Sequence, residues 1–180
     1  MRRKITLPSK NFLLLFKIYQ SKPMSVAYLQ TPLGIACVEG DAEGIQVVSI
    51  KEGELPPAQP IPEELTPAIH QLSDYFNGQR TSFDLRLNPQ GTDFQKRVWE
   101  ELRKVPFGRT VSYLELSRRL GDEKAIRAVA AANGKNPVWL IIPCHRIIGT
   151  DGSLTGYAGG LWRKKWLIEF EKGGLQGSLF

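Results

Sequence analysis

SYLELSRRLGDEKAIRAVAAANG, residues 112–134, holds two helix-start signals in succession. Ser112 and Glu115 have the spacing of a capping box, in which the hydroxyl accepts the amide three residues on and the glutamate reaches back to the serine amide. A helix is expected from there to Gly121. Asp122 is a fresh N-cap for a second helix over EKAIRAVAAAN, which stops at Gly134. Two short helices joined by a tight Gly-Asp turn form a helix-turn-helix. In the second, Ile126, Val129 and Ala130 are expected to face inward, which leaves Arg127 and Ala131 on a nearly bare outer face. Alanine is the best helix former, and that alone explains such a face. A bare face also lets a backbone approach a nucleic-acid groove while one arginine projects beyond it. The pattern leaves both readings open.

On the amino-terminal side, TDFQ at 92–95 repeats the capping device with Thr92 and Gln95. It opens a helix with Phe94, Val98 and Leu102 on one face, which ends at Pro106 and Gly108. The break NPQG at 88–91 marks a domain boundary. Earlier still, VAYLQTPLGIACVEGDAEGIQVVSI reads as short strands separated by turn signals, a small antiparallel sheet in which Cys37 is a buried apolar residue. The segment LPPAQPIP cannot continue a sheet. It leads into a helix with Leu65, Ile69, Leu72 and Phe76 at helical spacing, on which His70 is a surface or boundary side chain without ligating neighbours. At the other end, Trp162, Trp166 and Phe170 recur every four residues, so a terminal helix is expected to bury an aromatic stripe. The fold class is therefore α+β: a small amino-terminal antiparallel sheet with one helix, then a mainly helical carboxy-terminal domain with a helix-turn-helix. The expected divisions are a basic extension at 1–23, domains at 24–90 and 91–174, and a tail at 175–180.

The net charge of +6 is unevenly spread: +6 over residues 1–23, −6 over 24–90 and +6 over 91–180. A basic carboxy-terminal half fits a polyanionic partner, and a solvated charged face explains it equally well. The opening MRRK and NFLLLF outline a secretory signal, yet the apolar run is short, is interrupted by Lys17 and lacks a small-residue cleavage site. No later run approaches the roughly 18 apolar residues of a membrane span. Two distant cysteines make neither a disulfide framework nor a metal site, so a reducing, cytoplasmic compartment and no metal are expected. Patterned sequence begins at Met24, which makes the first 23 residues an accessory tail or an upstream start assignment.

The chemistry concentrates in IIPCHRIIG, residues 141–149, where Cys144, His145 and Arg146 stand together between isoleucines. Cysteine attacks as thiolate, so it gains from a nearby base or positive charge. Adjacent side chains on extended backbone point apart, so His145 is expected to act through a water, with a distant carboxylate such as Glu171 orienting it. Apolar flanks exclude water but also raise the thiol pKa, and a specific partner is expected to outweigh them. A buried structural cysteine beside a satisfied histidine is the competing reading.

NPVWLIIPCHRIIG, with SYLELSRRLG and AIRAVAAANGKNP before it and GYAGG after it, resembles the methylated-DNA-protein-cysteine methyltransferases, or O6-alkylguanine-DNA alkyltransferases. The resemblance is strong from about Thr92 to Glu171. Residues 24–90 resemble the family's ribonuclease H-like amino-terminal domain by pattern more than by motif. It implies that Cys144 accepts an alkyl group from O6 of guanine, or O4 of thymine, in a single turnover without cofactor. His145 would take the thiol proton, Glu171 orient His145, Asn136 hold the active-site turn, and Tyr113 donate toward N3 of the leaving guanine. Arg127 would fill the gap left by the flipped nucleotide, with the helix-turn-helix in the minor groove of double-stranded DNA. Gln95 and Thr150 match positions of polar DNA contacts. Tyr157, Ala158 and Trp139 would line the substrate pocket. Ala158 stands where many members have serine, and the Trp139 indole, where others are smaller, would restrict large adducts. A monomer is implied, with cooperative packing on DNA left open. Two alternatives stand beside the enzyme: a non-catalytic lesion-binding relative, which carries tryptophan in place of the cysteine, and a helix-turn-helix regulator.

Deleting residues 1–23 is predicted to leave alkyl transfer intact, because their six charges lie outside the patterned sequence. A large loss of rate at physiological salt would show instead that the tail assists association with DNA.

Overall fold

The computed structural model describes residues 24–173; the basic extension 1–23 and the tail 175–180 lie outside that range. Strands β1 (Ser25–Thr31), β2 (Gly34–Asp41) and β3 (Gly44–Lys51) form an antiparallel meander. Its tight turns use Gly34 and Gly44 at φ of 121° and 135°, which residues with a side chain rarely adopt. A 3₁₀ turn at Glu63–Leu65 runs into helix α1 (Thr66–Phe76). Leu65, Ile69, Leu72 and Phe76 are all buried, as their spacing demands, and His70 is exposed. Cys37 is buried within β2.

Helix α2 (Asp93–Arg103) begins with the complete capping box. The Gln95 amide donates to Thr92 Oγ1 at 3.3 Å, and the Thr92 amide donates to Gln95 Oε1 at 2.9 Å. Val98 and Leu102 are buried, Phe94 is half-buried, and Trp99 adds an indole N–H that donates to the Ala132 carbonyl at 2.9 Å. That bond ties α2 to the helix-turn-helix.

The helix-turn-helix consists of β4 (Val111–Ser112), α3 (Tyr113–Arg119) and α4 (Ile126–Gly134), with a 3₁₀ turn at Glu123–Ala125. Ser112 accepts the Glu115 amide at 3.1 Å, but the Glu115 carboxylate pairs with Arg119 at 3.2 Å instead of reaching back. The inward face of α4 also differs from expectation. The helix follows a 3₁₀ turn and docks through Val129, Ala132 and Asn133. Ile126 is 36% exposed and Ala130 only half-buried, while Arg127, Ala128 and Ala131 form an exposed face.

Strand β5 (Ile147–Ile148) pairs in parallel with β4 and so joins the segment after Cys144 to the start of the helix-turn-helix. Helix α5 (Leu161–Glu171) is packed, but not through the expected stripe. Trp162 is 53% exposed and carries the Arg163 guanidinium 4.3 Å from its ring, whereas Trp166 stacks on Phe170 at 5.0 Å. The buried face is Arg163, Lys164, Leu167, Ile168, Phe170 and Glu171. Charged residues can take those places because the interior offers them hydrogen-bond partners, which the spacing of aromatics does not reveal.

The two halves share one hydrophobic core. Its backbone seam is β3, where the Val48 amide donates to the Pro137 carbonyl at 2.9 Å and the Trp139 amide donates to the Val48 carbonyl at 2.8 Å.

Thr92→Ala removes one half of the capping box and is predicted to cost about 1 kcal/mol, a fall in Tm of roughly 2–4 °C. Thermal denaturation checks this; an unchanged Tm would mean that α2 does not depend on its cap.

Candidate active site

Asn136 organises the turn that presents Cys144. Its Nδ2 donates to the Ile142 carbonyl at 2.8 Å and lies 3.1 Å from Cys144 Sγ, while its Oδ1 accepts the Val138 amide at 3.0 Å. The intervening backbone is folded twice on itself. Leu140 takes φ of 67°, and the Ile141 amide donates to the Trp139 carbonyl at 2.8 Å across it, a strained three-residue turn. Pro143, at φ −81° and ψ 60°, forms the mirror-related turn, with the Cys144 amide donating to the Ile142 carbonyl at 2.8 Å. A half-buried amide side chain with all these partners holds the sulfur in one place.

Behind the sulfur lies a hub built on Glu171. Oε1 accepts from Tyr75 Oη at 2.8 Å and from Arg146 Nη2 at 2.9 Å, and lies 2.9 Å from His145 Nε2. Oε2 accepts from Arg146 Nε at 2.9 Å and from the Gly108 amide at 3.1 Å. Position 108 requires glycine: φ is 72°, and a Cβ there would lie 2.9 Å from the Glu171 carbonyl oxygen. Arg146 is further fixed by donation to the Val105 carbonyl at 2.6 Å.

Burial raises the Glu171 pKa, but the hydrogen bonds from His145 and Arg146, with the Arg146 charge, prevail and hold it down at about 2. Burial lowers the His145 pKa more than Glu171 restores it, so the imidazole rests neutral. An ionised carboxylate only accepts, so Nε2 carries the proton. Nδ1 is buried without a hydrogen-bond partner and is left as the acceptor. At Cys144 the outcome differs from the expectation that a partner outweighs desolvation. Burial raises the thiol pKa, and the Asn136 hydrogen bond and the Lys164 charge only partly oppose it. The sulfur therefore rests as a thiol.

Cys144 lines a cavity of about 270 Å³ together with Asn133, Asn136, Trp139, Tyr157 and Ala158. Trp139 stacks on Phe76 of α1 with centroids 6.3 Å apart. Its indole N–H and the Tyr157 hydroxyl are both buried without a well-formed hydrogen bond. Tyr113 is half-buried and accepts from Asn133 Nδ2 at 3.3 Å, which links it to the cavity lining. Arg127 and Thr150 are exposed, and the Gln95 side-chain carbonyl is occupied by the capping box. Among the described residues no group of His, Cys, Asp and Glu is placed to hold a metal ion, and no helix is long and apolar enough to cross a membrane.

Sequence reading did not find Tyr75 or the bidentate use of Arg146. It also missed Lys164, whose ammonium is fully buried, donates to the Thr155 carbonyl at 2.8 Å and has its pKa lowered by burial to about 8. Tyr75 lies 96 residues from Glu171, beyond the reach of any local pattern. Lysine at 164 gave a weak signal, since it falls on the face of α5 shared with Leu167, Ile168 and Glu171.

The depressed Glu171 pKa predicts the acid limb of stability. The group's contribution is complete above its ordinary value of 4.5 and is lost as pH falls toward about 2. Neutral His145 adds a loss that begins below its ordinary 6.5. Urea denaturation across this range should show a flatter acid limb for Glu171→Gln than for the wild type, and parallel limbs would contradict the assignment.

Comparison with known proteins agrees with this architecture. Residues 93–173 match the family model for the 6-O-methylguanine DNA methyltransferase DNA-binding domain, and residues 24–89 match that for its ribonuclease-like domain. The methylated-DNA-protein-cysteine methyltransferase of Methanosarcina acetivorans is 43% identical over 153 residues, covering 82% of this chain and 98% of its own. That of Mycobacterium tuberculosis is 42% identical over 148 residues, covering 80% and 90% respectively. The crystal structure of the M. tuberculosis O6-methylguanine methyltransferase superimposes with a TM-score of 0.75 at 39% identity, over 87% of this chain and 98% of that one. A second M. tuberculosis structure, in complex with DNA, gives a TM-score of 0.74 at 41% identity, over 82% and 92%. By these matches across both halves, the chain belongs to the methylated-DNA-protein-cysteine methyltransferase family.

Proposed function

We propose that this protein repairs DNA by moving an alkyl group from O6 of guanine, and from O4 of thymine, onto Cys144, once per molecule. The observation that carries the reading is a thiol held by Asn136 at a cavity wall, beside a neutral histidine backed by an ionised carboxylate. A non-catalytic lesion binder needs the cavity but neither a thiol at its wall nor a neutral base backed by a carboxylate.

The thiol proton passes through a water to His145 Nδ1, and Glu171 stabilises the imidazolium that forms. The sulfur attacks the alkyl carbon in line with the C–O bond, whose electron pair leaves with guanine. Tyr113 donates toward N3 of the departing base. A thioether offers no route back to the thiol, so the protein is consumed. Because the sulfur rests protonated, its deprotonation belongs to the reaction itself and not to the free protein.

An O6 carbon on a stacked guanine faces the major groove, so the nucleotide must leave the duplex, at a cost of a few kcal/mol that damaged pairs reduce. The bare face of α4 suits close approach to the minor groove, with Arg127 filling the vacated stack. Gln95 and Thr150 contribute polar DNA contacts. Tyr157, Ala158 and Trp139 line the base pocket, and the Trp139 indole limits the size of adduct. Residues 24–90 and 91–174 act as the sheet domain and the DNA-binding, alkyl-accepting domain of a cytoplasmic monomer.

Incubation with methylguanine DNA, followed by peptide mass analysis, should place one methyl on the Cys144 peptide and none on the Cys37 peptide. An unmodified Cys144 removes the proposal. Cys144→Ala should retain binding to lesion DNA while losing transfer entirely. Asn136→Ala should slow transfer by about 10²-fold, the scale expected when a reacting group is misplaced by about 1 Å.

A further inference from the structure

The cavity beside Cys144 has a wall that the chemistry above does not use. Strand β3 of the amino-terminal sheet contributes Val47, Val48, Ser49 and Ile50 to the lining, alongside Trp139, Tyr157 and Gly159. The pocket that receives the adduct is therefore shared between the two halves of the chain.

Two attachments keep β3 there. One is the backbone seam through Val48, Pro137 and Trp139. The other is Arg163, whose buried guanidinium donates to the Leu33 carbonyl at 2.8 Å, the Gly159 carbonyl at 2.7 Å and Glu52 Oε1 at 3.1 Å. One side chain thus joins the β1–β2 turn, the residue after β3, and the loop that bears Tyr157 and Ala158. The Glu52 carboxylate is 81% exposed, so its ion pair contributes little and the two carbonyls fix the geometry. Loop and strand also lie close together. A Cβ at Gly159 would lie 3.4 Å from Ile50 Cγ2, 3.4 Å from Arg163 Cδ and 3.2 Å from Tyr157 Cε1. Any loosening of this contact widens the cavity.

We infer that Ile50 is a specificity-determining residue and Arg163 a positioning residue, which together set the width of the space that the transferred alkyl group enters. The inference rests on the alkyl-transfer reading and extends it: the amino-terminal sheet helps decide which adducts are accepted. A lysine cannot substitute for Arg163, because a single ammonium lacks the planar fork that spans Leu33, Gly159 and Glu52.

The test compares transfer rate constants for O6-methylguanine and O6-benzylguanine in the same duplex, using the full chain. Ile50→Ala should raise the benzyl-to-methyl ratio by at least about tenfold, the usual scale for a methylene-sized change in a hydrophobic pocket. Arg163→Met should raise the ratio too while lowering the methyl rate, and Arg163→Lys should not restore wild-type values. A general weakening of the fold would lower both rates in proportion and leave the ratio alone. An unchanged ratio in Ile50→Ala with normal methyl transfer overturns the inference and spares the function. Absence of methyl transfer in the wild type overturns both.

Discussion

A single carboxylate, that of Glu171, closes the structure. It accepts from Tyr75 of α1, from the Gly108 backbone, and from His145 and Arg146 beside the nucleophile, while itself belonging to α5. A charge taken out of water is tolerable only when paired and fully hydrogen-bonded. The hub therefore requires four remote segments to converge, and their convergence places His145. The same bonds that keep Glu171 ionised fix the imidazole tautomer, so the stability of the fold and the readiness of the base have one origin.

The charge balance around the sulfur follows from that hub. Arg146 neutralises Glu171, and His145 is uncharged, so the cluster lends the thiol little net positive field. Lys164, buried and donating to the Thr155 carbonyl, supplies the positive charge that acts on Cys144. Desolvation still prevails and leaves the resting sulfur protonated. A sulfur that resists ionisation is protected from adventitious oxidants and electrophiles, because the thiolate is the reactive form. Reactivity is then expressed when a base and its alkyl group occupy the cavity.

Much of this was legible in the amino-acid order. The Thr92–Gln95 capping box, the apolar face of α1 and the turns between strands all rest on local spacing, and local spacing is what a sequence displays. The inner face of α4 differs from the expected one because a short, alanine-rich helix carries no strong apolar stripe, so spacing does not reveal that Ala132 and Asn133, and not Ile126 and Ala130, join Val129 in the interior. The stripe through Trp162 failed for another reason: α5 buries Arg163, Lys164 and Glu171, whose partners lie in distant loops and strands. Triad logic makes Glu171 one candidate carboxylate, the resemblance to a family gives it its role, and nothing in the sequence points to Tyr75. Residues whose roles depend on contacts across the whole chain remain hidden until it is folded.

Glu171 holds His145 as a neutral imidazole with its proton on Nε2. Nitrogen-resolved NMR of the histidine side chains near neutral pH measures this directly. The spectrum should show a protonated Nε2 and a bare Nδ1 at His145, with loss of that tautomeric preference in Glu171→Gln. An imidazolium, or a proton resident on Nδ1 in the wild type, would contradict it.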